Sequence, residues 1–282
     1  MIAENANQIE HYLRTGEHDV LASDWHGTSI IERCRGAHYA LKNALVAAVL
    51  DRTLKKRGPR PLSTADIKSM TRARVRPMVD GLFAQHERHL VMDVLARSVV
   101  FLTPRNIDAV LRAEQYPHTA WNLANLYLLS CDAEPLSPDA PQLIGLSQST
   151  TCFVSMRYFH GGGRFDDVVV HEAAHIFHNC KRERIGLPHT AQREWLLDIE
   201  FSKRETFAYA CEAFARILAL GHTRCVRREL LAAYQERSMP SDDAVEDQAE
   251  LISILHEAVE AKNGWQRILR RCAPLRRLKA KT

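Results

Sequence analysis

The run Val168-Val169-Val170-His171-Glu172-Ala173-Ala174-His175 constrains this chain more than any other stretch. No proline or glycine breaks it, and Asp166 and Asp167 suit the first turn of a helix, so the segment Asp166 to Lys181 reads as helical. Apolar residues surround its three titratable side chains, and a buried polar group needs a partner. Residues four apart project from one helical face, so His171 and His175 can reach a single Zn²⁺ while Glu172 points at its water. Such an ion would make that water acidic, and the carboxylate would accept its proton. Chance yields roughly 0.05 such patterns in a chain of this composition. The opposing reading is an ordinary helix with two solvated or core histidines.

A catalytic zinc takes three protein ligands and keeps one position open. The best source for the third is Arg204-Glu205-Thr206-Phe207-Ala208-Tyr209-Ala210-Cys211-Glu212-Ala213-Phe214, where a carboxylate opens an otherwise largely apolar helix. Glu212 lies on nearly the same face as Glu205, but about 10 Å further along the axis, so only one of them can ligate. The other is left to orient a ligand histidine. His178 invites comparison with the pattern HExxHxxGxxH, which needs glycine at 178 and histidine at 181. The chain has His178 and Lys181 there, so His178 reads as solvated or as support for a ligand.

HEAAH followed about thirty residues later by ETFAYACEAF resembles the gluzincin branch of the zinc metallopeptidases, in particular the anthrax lethal factor catalytic-domain type. The resemblance spans Thr150 to Leu220. It implies that His171, His175 and Glu205 hold Zn²⁺, that Glu172 is the general base, and that Thr150 to Phe159 is an edge strand able to hold an extended peptide. The chain departs from the pattern in two ways: Tyr209 stands where some members place an acidic residue, and no tyrosine shortly precedes Glu205. Tyr209 and His222 are left as candidates for stabilising an oxyanion.

Around this core the expected fold is mainly α with a small β-sheet, an α+β arrangement. Helical spacing covers Ser29 to Leu54, Thr64 to Arg74, Val79 to Val99, Pro104 to Glu114 and Thr119 to Leu128. Ser63 or Thr64 would cap the second of these, after a basic connector from Lys55 to Arg60. Pro135, Pro138 and Pro141 break the pattern, which places a boundary between a helical lobe, 1–131, and a zincin-like peptidase domain, 132–282. His160 to Gly163 reads as a flexible loop. Arg204 to Leu220, Arg224 to Arg237 and Asp242 to Arg271 read as closing helices.

The seven cysteines are odd in number and widely spaced, which favours reduced, mostly buried thiols and a cytoplasmic location. Met1 to Glu10 lacks the features of a secretion signal, which leaves signal-independent export open, and no stretch is long and apolar enough to suggest a membrane span. From Arg267 to Thr282 there are seven basic residues and no acidic one. A solvated tail is the simplest reading; a patch for nucleic acid or an acidic partner is the other, and no interleaved aromatic strengthens it. The functional expectation is a metallopeptidase acting on peptide or protein. The alternative is a zinc-binding regulatory or interaction protein without catalysis.

Overall fold

The computed structural model describes residues 5–54, 56, 63–159, 163–189, 193–236 and 248–274. It is mainly helical with one small sheet. The expected loop at 160–163, most of the connector at 55–60 and the tail beyond 274 lie largely outside the described residues. Among the described residues no helix is long and apolar enough to cross a membrane.

Contacts divide the chain into two units, and not at a single cut near 131. One unit gathers 1–61, 101–146 and 153–160; the other gathers 62–100, 147–152 and 161–282. The proline-rich stretch after 131 breaks a helix without ending a packed unit, because Leu136 and Ala140 are buried in the same core as the preceding helix. Residues 62–100 fall in the second unit because their helices pack on those that carry the HEAAH motif.

The first unit holds α1 (Ala6–Thr15), α2 (Ile30–Thr53), α5 (Ile107–Ala113) and α6 (Pro117–Ser130). Its core is built from Leu41, Leu45 and Val49 of α2 against Leu123, Leu126 and Tyr127 of α6. The first helix carries no expectation above. It is amphipathic and docks through the buried Tyr12, whose hydroxyl donates to the Pro117 carbonyl at 2.7 Å. Gly16 ends it in the left-handed region, at φ 75°, where a side chain would be strained.

The second unit holds α3 (Thr64–Leu82), α4 (Arg88–Ser98), α7 (Val168–Asn179), α8 (Arg204–Leu220), α9 (Arg224–Gln235), α10 (Gln248–Glu260) and α11 (Gly264–Cys272). Ser63 is the cap of α3, accepting the Asp66 N–H at 3.1 Å. That helix runs through Pro77 to Leu82, further than its expected end at Arg74. The chain then leaves the helix at an extended Phe83, and α4 starts at Arg88 behind Glu87, so the helix expected over Val79 to Val99 is in fact two. Likewise Asn263 interrupts the stretch expected as one helix to Arg271, its side chain capping α11 through the Gln266 N–H.

Close approach fixes α3 on α11. A Cβ on Gly81 would lie 2.1 Å from the Trp265 ring, so only glycine admits this contact. Trp265 in turn meets Phe214 of α8 edge-on at 4.9 Å. Phe177 and Phe207, fully buried, complete this core, each worth about 1.5–3 kcal/mol on burial. A buried ion pair joins Glu87 to Arg182, just beyond α7. Burial alone would raise the Glu87 pKa, but the Arg182 hydrogen bond and charge, with the Ala84 N–H, outweigh it and hold the carboxylate low.

The sheet has the order β1 (Val99–Phe101), β3 (Thr151–Val154), β2 (Gly145–Gln148). Thr150 to Phe159 was expected to form an edge strand; β3 is instead central, and it stops at Val154. Ser155 begins a tight turn there, its side chain accepting the Arg157 N–H and its carbonyl the Tyr158 N–H. A free edge belongs to β2, which joins β3 through Ser149 at φ 55°.

Candidate metal centre

The site lies within the second unit, on α7 and α8, which pack directly against each other. Helix α7 is apolar nearly all round and correspondingly buried, with Asp167 capping it through the Val170 N–H. Two of its histidines, His171 and His175, turn to the start of α8.

There three ligand atoms converge. The Nε2 atoms of His171 and His175 are 3.2 Å apart. Glu205 places Oε2 3.6 Å from His171 Nε2 and Oε1 3.5 Å from His175 Nε2. Among the described residues this is the group of three whose ligand atoms all fall within 4.8 Å of one another. Donors held about 2.0–2.1 Å from a tetrahedral zinc stand about 3.3 Å from each other. The two Glu205 distances run to different oxygens, so the two imidazoles and the carboxylate are a donor set that could hold a metal ion, with one ligand atom from each within 4.8 Å of the others.

Glu205 was expected because a carboxylate in an apolar core needs a partner. In fact its side chain is 52 % exposed, in the first turn of α8, where the helix dipole also favours a negative charge. The carboxylate in the core is Glu212, 7 % exposed. Its Oε1 accepts the Asp167 N–H at 2.6 Å, and its Oε2 lies 3.3 Å from Nδ1 of His171. That approach is a close ion-pair contact and does not meet hydrogen-bond geometry. Glu212 thus orients His171 from behind while Glu205 meets its front. The network continues through Asp167 to Arg74 of α3, 3.4 Å away.

Electrostatics agree with this division. Burial would lower the His171 pKa, but the carboxylates of Glu205, Glu212 and Glu172 overcome it and push it up to about 10. Burial would likewise raise Glu205, yet hydrogen bonds from His171 and His175 hold it well below the usual carboxylate range. A centre that draws a proton this strongly is one that favours a cation.

His178 is buried, its Nε2 3.4 Å from Nδ1 of His175, so it supports a candidate ligand and is not solvated. Burial, with the charges of His175 and Arg204, pushes its pKa down to about 3, and it stands neutral. Tyr209 packs edge-on against His171 with ring centroids 4.5 Å apart. His222 is exposed beyond the far end of α8, about 25 Å along the axis from Glu205, too far to serve the same centre.

Glu172 is buried, and the Ser147 hydroxyl donates to its carboxylate Oε2. Nothing in the sequence pointed to Ser147, because strand-to-helix pairing is set by tertiary contact and leaves no local spacing. Asp167 was readable as a first-turn residue, but its link to Glu212 was not. Compared with protein-family models, curated proteins and solved structures, the chain matches none.

Proposed function

We propose that the chain is a zinc-dependent metallopeptidase, with His171, His175 and Glu205 as metal ligands and Glu172 as general base. The observation that carries this reading is the convergence of two imidazoles and a carboxylate, one ligand atom from each within 4.8 Å of the others, with a buried carboxylate next in sequence to the first ligand. Bound Zn²⁺ would supply a water that is acidic near neutral pH and polarise the scissile carbonyl.

The remaining work falls to side chains. Ser147 fixes Oε2 of Glu172, which leaves Oε1 to take a proton from the attacking water and return it to the leaving amine. Tyr209 is assigned the carbonyl oxygen: burial and then the nearby carboxylates push its pKa up to about 12, so it keeps the proton it would donate. The half-exposed Glu205 marks the side open to substrate, a peptide or protein segment. Seven unpaired thiols support a reducing compartment, the cytoplasm.

Elemental analysis of the purified chain, paired with a broad peptide library, tests the reading. One zinc per chain with chelator-sensitive cleavage is the expected result. Zinc without cleavage would favour the non-catalytic zinc-binding protein; absence of zinc would overturn both.

A further inference from the structure

Behind the candidate metal centre, also within the second unit, lies a cavity of about 440 Å³. Its wall includes His178, His189, Arg204 and, from the segment Arg193 to Ile199, every residue but Leu196. That segment returns along the end of α7, held by the Leu196 N–H on the Cys180 carbonyl and the Leu197 N–H on the Phe177 carbonyl, both at 2.9 Å. The Lys181–Trp195 bridge pins it further.

Two buried donors on this wall have no acceptor among the described residues. Arg204 Nε is enclosed without a hydrogen-bond partner; its guanidinium stacks over Phe201 at 4.9 Å. The Nδ1 of His178, a residue 4 % exposed, is likewise enclosed and unpartnered. If His175 ligates through Nε2, its Nδ1 carries the hydrogen and donates to His178 Nε2, which leaves the His178 proton on Nδ1. This step rests on the metal reading given above; the Arg204 donor does not.

Charge and shape narrow what the cavity would accept. Glu194 is taken by Lys181 at 2.6 Å. Burial raises the Asp198 carboxyl, against the charges of Arg193 and Arg182 and the Trp195 N–H that it accepts. Among the described lining residues Arg204 is a cation without an ion pair, and one positive charge suits a monoanion better than a phosphate dianion. Trp195, Leu197 and Ile199 give the cavity apolar walls. We propose that it binds a carboxylate carried on an apolar body, held by Arg204 and by the Nδ1–H of His178. Such a ligand extends a hydrogen-bonded chain through His178 to His175, and so couples its own binding to the metal's.

The same carboxylate could belong to a peptide C-terminus or to a free acid, and calorimetry on the purified full chain separates the two. The probes are N-acetyl-phenylalanine and 3-phenylpropionate, each beside its neutral amide, with the zinc content of the sample measured in parallel. Binding of both acids and neither amide supports a carboxylate site open to free acids; binding of the first acid alone supports one for peptide termini. Arg204→Gln should weaken the acids by about tenfold or more, with Arg204→Lys recovering part of the loss. Should Arg204→Gln not fold, the acid-against-amide comparison on the unaltered chain still decides. Equal binding of acid and amide, or no binding, in a sample that holds zinc overturns the cavity proposal alone. A zinc-free sample instead removes the metal reading, and the acids then test Arg204 by itself.

Discussion

Among the described residues histidine rings meet in each unit, and their surroundings are opposite. In the first unit His18 and His38 meet at ring centroids 5.6 Å apart, with His118 adding its charge. In the second, His171 and His175 are 5.0 Å apart and His178 stands behind them. Ring proximity is much the same; the carboxylates differ. Near the first cluster Asp19 spends its side chain on the Leu21 and Ser23 N–H groups. Burial, with the charges of their neighbours, then lowers both His18 and His38. Around the second, three glutamates overcome the same burial and raise His171. Closeness of imidazoles alone thus does not distinguish the two clusters; carboxylates converge on the second and not on the first.

The largest effect that follows is on zinc itself. His175→Ala should drop the zinc content from one per chain to none, while His38→Ala should leave it at one. Elemental analysis of both variants decides, and loss of zinc from His38→Ala would break the contrast between the clusters. Next comes Glu172→Gln, which keeps the carbonyl of the side chain but cannot take a proton. Zinc should stay bound while peptide hydrolysis falls by about 10²–10⁴. Undiminished cleavage by this variant would mean that the base lies elsewhere.

Glu212→Gln should have a smaller effect, because it alters only how His171 is held. A loss of about 10–100-fold in zinc affinity is expected, read by competition with a chelator. Replacement of Glu205 should cost more than replacement of Glu212. The reverse order would exchange their roles.

The same pair shows how far the sequence could be read. Periodicity placed α8 at Arg204–Leu220 as observed, and the HEAAH spacing put His171 and His175 on one face. A rise of 1.5 Å per residue told that Glu205 and Glu212 could not both ligate. Which of them meets Nε2 and which meets Nδ1 of His171 depends on how α8 rolls against α7, and that is set by contacts such as Phe214 on Trp265, far from the motif in sequence. Ser147 and the central place of β3 were hidden for the same reason, since strand order is a property of non-local pairing. The unit that contains α3 could not be read from the proline-rich break either. Chain continuity weighs less there than the seat of Trp265 over Gly81.

The smallest effect concerns the cluster that holds no candidate metal. Burial lowers His18, helped by the charges of His38 and His118 and opposed by Asp19; burial and Lys42 lower His38. A folded-state pKa below the unfolded value near 6.5 favours the neutral ring, so the contribution of these rings to stability is present above that pH. It is lost as pH falls through the folded-state value, when each ring must charge beside a like charge. A proton NMR titration should therefore place both midpoints below about 6.5. His18→Ala should then shift the His38 midpoint little, because the first cause of its depression is burial and not its neighbour. A midpoint above 6.5 for either ring would show that a carboxylate reaches this cluster too, and the difference between the two histidine groups would become one of degree.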